Sequence, residues 1–207
     1  MAYILGFFAA DGYITVNKRG GQFWCIQITD KQLLAQIKKS IGAEHKISAR
    51  ISKKKNEKIL YRLQIGSIEM CNDLRNLGFS EKKTKSLAVP HIPRDFFPSF
   101  VRGYFDGDGN VWVGSLHKSR KNPGLAILTM FTSSSLAFLT QLRQKLSMYG
   151  IKGGSLYMSK KNYSRLQYST NDSLKLSKIM YNGSHTSISL LRKRKIFLKY
   201  ENMRLRL

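Results

Sequence analysis

A nine-residue pattern occurs twice in this chain. Residues 4–12 read ILGFFAADG and residues 101–109 read VRGYFDGDG. Each copy is an apolar stretch with small residues three or four positions apart, and each ends on Asp-Gly. Small residues at this spacing let two helices pack with their backbones almost in contact. We therefore expect two closely packed helices that bring Asp11 and Asp108 side by side at one end.

The elements after each pattern also repeat. An alternating stretch follows Asp11-Gly12 and turns at Gly20-Gly21, which predicts a β-hairpin. An amphipathic helix, a second hairpin and a second helix closed by Gly78 come next. The same order follows Asp108. The sequence therefore predicts an α+β fold of two tandem, pseudo-symmetric αββαββα repeats, each with a four-stranded antiparallel sheet. We place the repeats at residues 1–88 and 99–207, with a proline-containing linker at residues 89–98.

The charge of the chain points to a polyanionic partner. Its 207 residues include 36 Lys and Arg against 12 Asp and Glu, a formal charge of +24. Such an excess destabilises a compact chain by self-repulsion and is typical of proteins that bind nucleic acid. No apolar run approaches the roughly 20 residues of a membrane span, so we expect no membrane association. Cys25 and Cys71 lack metal-site spacing and are expected to be buried free thiols. We expect an intracellular protein of the cytoplasm, nucleoid or an organelle matrix.

The paired Asp-Gly ends predict a metal site. Two neighbouring carboxylates repel each other unless a proton or a cation lies between them. Mg²⁺ prefers a few carboxylates together with water and phosphate oxygens. Metals about 3.5–4 Å apart can activate a water and stabilise the leaving oxygen in phosphodiester hydrolysis. On a chain this basic, the pattern favours metal-dependent chemistry on nucleic acid.

The two patterns resemble the motifs of LAGLIDADG homing endonucleases, in the single-chain, two-repeat form. Lys85-Ser86, residues 90–93 (PHIP) and residues 99–109 resemble the approach to the family's second motif, and residues 191–195 (LRKRK) resemble its C-terminal helix. The resemblance covers nearly the whole chain. It implies a monomer with pseudo-two-fold symmetry whose sheets form a DNA-binding saddle. The implied activity is a double-strand break at a long target site, with two or three Mg²⁺ ions shared between two active sites.

The resemblance also implies the residues of these sites. Asp11 and Asp108 are the implied catalytic metal ligands, and the backbone carbonyls of Ala10 and Gly107 complete the metal sites. Asp106 has Ala9 at the equivalent position of the first motif, so we interpret it as structural. The expected periphery of the active sites comprises Asp30, Ser134 or its neighbour Ser135, Arg62 and Arg165.

Alternation along the strands predicts the surface that reads DNA. We expect Ile14, Val16 and Ile51 to face the helices, and Cys25 and Thr29 to face outward. Outward Arg, Gln and Asn side chains can bind base edges in the major groove, which admits β-ribbons. The residues expected on this surface are Thr15, Asn17, Arg19, Gln27, Lys46, Ser48, Arg50, Ser52, Arg62, Gln64, Trp112, Lys118, Tyr157 or Met158, Arg165 and Gln167.

Two other functions share this fold. A maturase would use it to bind a group I intron RNA and assist splicing, and no residue pattern excludes that role. A non-catalytic DNA-binding regulator would be expected to lose the acidic pair, which this chain keeps. Endonuclease activity is therefore the favoured prediction, with maturase activity as the alternative.

Overall fold

The computed structural model describes residues 1–51, 57–81, 86–116, 119, 124–159, 162–182 and 188–205. Within the first repeat the elements are α1 (Ala2–Asp11), β1 (Gly12–Val16), β2 (Gln22–Ile28), α2 (Lys31–Ser40), β3 (Ile47–Arg50), β4 (Leu60–Gly66) and α3 (Ile68–Asn76). The four strands form an antiparallel sheet in the order β1-β2-β4-β3.

The second repeat has the same order of elements. They are α4 (Phe97–Asp108), β5 (Gly109–Leu116), β6 (Gly124–Ser133), α5 (Leu136–Ser147), β7 (Ser155–Met158), β8 (Ser164–Tyr168) and α6 (Thr170–Tyr181), followed by α7 (Leu191–Arg204). Its antiparallel sheet has the order β5-β6-β8-β7. The predicted α+β architecture of two αββαββα repeats is thus confirmed.

The chain divides into two compact units that differ from the two repeats. One unit comprises Met1–Lys83 with Pro90–Gly107, and the other comprises Thr84–Val89 with Asp108–Leu207. Most of α4 therefore belongs with α1 rather than with the sheet that follows it. Within the expected linker, Arg94–Phe96 form a short 3-10 turn, and α4 begins at Phe97. The repeat boundaries at residues 88, 89–98 and 99 stay a prediction.

Local sequence signals set the ends of several elements. In the first hairpin the side chain of Asn17 accepts hydrogen bonds from the amides of Arg19 and Gly21, and Gly20 has a φ of 80°. Helix α3 ends at Asn76, and Gly78, just after the C-cap residue Leu77, has a φ of 89° in the left-handed region. The Gly78 amide donates to the carbonyl of Arg75. This left-handed C-terminal glycine confirms the helix end predicted from the sequence.

Each unit has an aromatic core on the helical side of its sheet. In the first unit Phe8 of α1 stacks on Trp24 of β2, with ring centroids 5.7 Å apart. In the second unit Phe131 of β6 meets Tyr168 of β8 edge to face. Cys25 and Cys71 are buried free thiols, as expected. Within the described ranges, no helix has both the length and the apolar content needed to cross a bilayer.

Two predicted core positions are wrong. Val16 is 48% exposed and Ile51 is 75% exposed, although both were expected in the core. Val16 ends β1 and Ile51 follows β3, and these are the two edge strands of the sheet. Cys25 points away from the helices, as predicted, and it is completely buried on that side of the sheet. Its neighbours on adjacent strands, Tyr13 and Gln64, lie beside it in register.

Candidate active site and nucleic-acid interface

The two motif helices α1 and α4 pack with their backbones in contact through a reciprocal pair of glycines. A Cβ added at Gly6 would lie 2.0 Å from the carbonyl oxygen of Phe100. A Cβ added at Gly103 would lie 2.0 Å from the carbonyl oxygen of Tyr3. No side chain fits at either position, so the glycines of the two patterns allow this approach. The close packing predicted from the small residues is present between residues 2–11 and 97–107.

The approach continues to the Asp-Gly end of α1. A Cβ added at Gly107 would lie 2.4 Å from the Cβ of Ala10 and 3.1 Å from Oδ2 of Asp11. The first motif's carboxylate therefore lies against the α4 backbone at the residue before Asp108. Each helix ends at its aspartate, and the next residue opens the first strand of a sheet.

A buried polar cluster joins the same two helices. Asp106 is 2% exposed, and its Oδ2 accepts a hydrogen bond of 2.7 Å from the Tyr3 hydroxyl. The Arg102 guanidinium lies 5.3 Å from the centroid of the Tyr3 ring. Buried charged groups need such partners, because their desolvation is costly. Asp106 thus has a structural position between the helices, which agrees with its interpretation from the sequence.

The helix ends carry donors that suit a hard divalent cation. Such cations take carboxylate and backbone carbonyl oxygens, and the C-terminal end of a helix dipole favours positive charge. Asp11 supplies a carboxylate at the end of α1, and Asp108 supplies one at the end of α4. The described residues contain no cluster of three or more His, Cys, Asp or Glu side chains that could hold a metal.

Lys193 of α7 lies directly beside the second motif, a placement that the sequence analysis missed. This side chain is only 5% exposed, and its Nζ donates a 2.6 Å hydrogen bond to the carbonyl of Gly109. The interaction fixes the backbone immediately after Asp108. The basic run 191–195 was visible in the sequence, but its buried member depends on a contact 84 positions away in the chain.

Asp30 and Ser135 occupy equivalent helix N-caps. Oδ1 of Asp30 accepts from the amide of Leu33 at the start of α2. Oγ of Ser135 accepts from the amide of Phe138 at the start of α5 and donates to the carbonyl of Leu87. Ser135, rather than the exposed Ser134, is therefore the counterpart of Asp30. A role of these residues at the active-site periphery stays a prediction.

Arg62 lies on the outer face of the first sheet within a small polar cluster. It is exposed and pairs in register with Gln27 and Ser48. Burial and the neighbouring Cys25 raise the pKa of the Tyr13 phenol, whereas its hydrogen bond with Arg62 opposes that rise. Burial likewise raises the pKa of the Cys25 thiol, so this group is protonated at neutral pH.

Arg165 occupies the matching position in the second sheet, where it pairs with Thr132 and Tyr157. Its guanidinium donates a 2.8 Å hydrogen bond to the Tyr163 hydroxyl and lies 5.1 Å from the centre of that ring. Its Nε is buried and has no hydrogen-bond partner among the residues that the structure describes. Both arginines are therefore on the outer faces, as the strand alternation predicts.

The remaining residues expected to contact DNA divide into three groups. Thr15, Gln27, Ser48, Arg50, Gln64, Trp112 and Gln167 lie on strands and point to the outer faces. Lys46 is exposed just before β3, and Asn17 and Arg19 lie in the first hairpin turn because β1 ends at Val16. Ser52 and Lys118 lie outside the described residues.

The outer face of the second sheet is more apolar than the sequence indicated. Trp112 pairs with Leu128, and Met130 pairs with Gln167, so all four share this face. Tyr157, not Met158, is the β7 residue in register with Arg165. Leu128 and Met130 were missed because β6 is an almost unbroken apolar run, in which a period of two cannot be read.

The family model for the LAGLIDADG-like domain matches residues 1–78 and 98–199. The chain therefore belongs to this family. No curated protein matches it in sequence.

Solved structures share the fold at low identity. I-SmaMI, a meganuclease bound to uncleaveable DNA, has a TM-score of 0.65 and 13% identity, over 99% of this chain and 88% of that chain. I-AabMI, a LAGLIDADG meganuclease bound to uncleaved DNA, has a TM-score of 0.61 and 15% identity, over 97% of this chain and 88% of that chain. I-LtrWI, a LAGLIDADG homing endonuclease bound to target DNA, has a TM-score of 0.58 and 17% identity, over 99% of this chain and 90% of that chain.

Proposed function

We propose that this chain is a sequence-specific DNA endonuclease that acts as a monomer and makes a double-strand break at a long target site. The observation that carries the proposal is the packing of the two motif helices at Gly6 and Gly103. That packing sets the Asp11 carboxylate against the backbone that leads into Asp108. The charge of +24, family membership and the DNA bound to structurally similar meganucleases also support it.

Asp11 and Asp108 are the proposed metal-binding carboxylates, and Ala10 and Gly107 the proposed carbonyl ligands. The proposed cofactor is Mg²⁺, with two or three ions shared between two active sites. A divalent ion held there supplies an activated water and neutralises charge on the phosphate. A structure of a single-residue variant of the similar protein I-DmoI, in complex with its target DNA, was determined in the presence of 2 mM Mn.

The side chains of the chain itself bind and orient the substrate. We expect the outer-face residues Arg50, Arg62 and Arg165 to bind phosphates or guanine edges. Lys193 holds the backbone of Gly109 and so limits the movement of the neighbouring Asp108.

The proposal is tested with a plasmid that carries the gene's own flanking sequences joined without the insertion. Linear product is expected with Mg²⁺ and not with Ca²⁺, and it is expected to be lost in Asp11→Asn and Asp108→Asn. Salt-sensitive DNA binding without cutting in either metal would contradict the proposal. Intron RNA, the ligand expected of a maturase, would then be the next substrate to test.

A further inference from the structure

The outer face of the second sheet carries an apolar stripe across neighbouring strands. Trp112 on β5 is 42% exposed and Tyr157 on β7 is 40% exposed. Leu128 and Met130 on β6 are half-buried between them. Exposed aromatic and aliphatic groups side by side on a sheet face indicate a binding surface for a partly apolar ligand.

The side chain of Gln167 lies at one end of this stripe, and a hydrogen bond fixes its orientation. The Tyr157 hydroxyl donates a 3.0 Å hydrogen bond to Oε1 of Gln167 and lies 3.9 Å from the sulfur of Met130. With its oxygen engaged, Gln167 presents its amide N–H groups to a ligand. The Tyr157 ring and the Met130 thioether supply an apolar surface directly beside that donor.

One base edge in the major groove of DNA matches a donor beside an apolar surface. Thymine presents the O4 acceptor together with the C5 methyl group, whereas cytosine presents the N4 amino donor. We propose that Met130, Tyr157 and Gln167 form a thymine-reading site for the target strand. This inference rests on the proposed function, because it requires duplex DNA on the outer face of this sheet.

The part of the stripe formed by Trp112 and Leu128 can contact a thymine in a neighbouring base pair. A Cβ added at Gly114 would lie 2.3 Å from Cζ2 of Trp112, so the indole ring covers this glycine. Leu128 on β6 is the residue that pairs with Trp112 across the two strands. Trp112 and Leu128 therefore offer a preorganised apolar surface for a second thymine methyl.

The first sheet differs from the second at three of these positions and keeps an apolar residue at the fourth, where the half-buried Phe23 is equivalent to Leu128. The position equivalent to Trp112 is Thr15, 97 residues earlier, which is the offset between the two motif aspartates. Cys25, at the position equivalent to Met130, is completely buried. The exposed residues Ser48, Arg50 and Arg62 of the first sheet offer hydrogen bonds and charge instead. The two half-sites of the target should therefore differ, with a thymine read by a donor beside a thioether and a phenol ring only in the half bound by the second sheet.

The test begins with wild-type protein and a randomised duplex library, selected for binding in Ca²⁺. Parallel selection with Arg50→Ala identifies the half-site read by the first sheet, since base preference should relax there. The other half-site is expected to be enriched in thymine at two neighbouring positions. Enrichment of G or C at those positions would overturn the inference.

Modified bases then separate the methyl group from the acceptor. Deoxyuridine keeps O4 and lacks the methyl, so each replacement of a contacted thymine should weaken binding about fourfold, the value of one buried methyl (about 0.8 kcal/mol). The same replacement in the other half-site, at the base pair whose identity depends on Arg62, is the control and should change affinity less than about 1.5-fold, because Gln27, Ser48 and Arg62 form a polar surface there. An equal loss in both halves, or no loss in either, would overturn the thymine site but leave the endonuclease proposal intact.

The variant Gln167→Glu tests the donor independently. A carboxylate accepts from cytosine N4, so selection with this variant should shift the position next to Met130 from thymine towards cytosine. An unchanged thymine preference would contradict the role of Gln167. Failure of the wild-type protein to bind any duplex would instead overturn both the thymine site and the proposed function.

Discussion

Gly103→Ala tests the packing that positions the motif aspartates. The added Cβ would lie 2.0 Å from the carbonyl oxygen of Tyr3 and 2.8 Å from the amide nitrogen of Phe7. Both atoms belong to the α1 backbone and cannot rotate away, so the helices must separate by more than about 1 Å to reach normal contact. Overpacking costs about 1–3 kcal/mol, while alanine returns about 1 kcal/mol of helix propensity.

Because both obstructing atoms are backbone atoms of α1, we expect the overpacking cost to lie at the upper end of that range. The net loss of unfolding free energy, after the gain in helix propensity, is then about 2 kcal/mol. This corresponds to a fall of about 4–8 °C in the unfolding temperature of a chain of this size. Thermal unfolding followed by circular dichroism measures it, and DNA cleavage should fall in parallel. Gly124→Ala is the matched control, because a Cβ there lies more than 4 Å from every non-neighbouring residue in the part of the chain that the structure describes. A Gly103→Ala protein that unfolds within about 1 °C of wild type, with full cleavage activity, would refute the packing argument.

Three other predictions concern stability. Tyr3→Phe removes the hydroxyl that donates to buried Asp106 and should cost about 1–3 kcal/mol in urea unfolding; an unchanged midpoint would count against that hydrogen bond. Ser135→Ala removes the cap of α5 and should cost about 1–2 kcal/mol, while Ser134→Ala should stay within about 0.5 kcal/mol. Burial raises the pKa of the Cys71 thiol above its ordinary value of 9.0, so the folded chain keeps a proton that the unfolded chain releases. Stability should therefore be full below about pH 8.5 and fall above it; Cys71→Ala should show a smaller fall, and an identical pH profile would contradict this.

The order of the elements could be predicted because its signals are local. The glycines at 20 and 78 adopt the left-handed backbone that their turn and cap require. The 3.6-residue period of α2 places Leu33, Leu34 and Ile37 in the core. Duplication strengthens these signals, since the same element order is read twice.

The orientation of several side chains could not be predicted, because it depends on neighbouring strands. Cys25 points outward by alternation, yet adjacent residues bury it. β6 is apolar on both faces, so its outward residues Leu128 and Met130 carry no signal in the sequence. Lys193 is buried by its contact with Gly109, although it lies in a run of basic residues that resembles an exposed surface.

Strand-specific cleavage tests the central claim most directly. A selected duplex labelled at both 5′ ends should be cut on both strands by the wild-type protein with Mg²⁺. Asp11→Asn and Asp108→Asn should each lose cutting of at least one strand while still binding the duplex in Ca²⁺. Cleavage of both strands at wild-type rate by either variant would contradict the assignment of these aspartates as metal-binding catalytic residues.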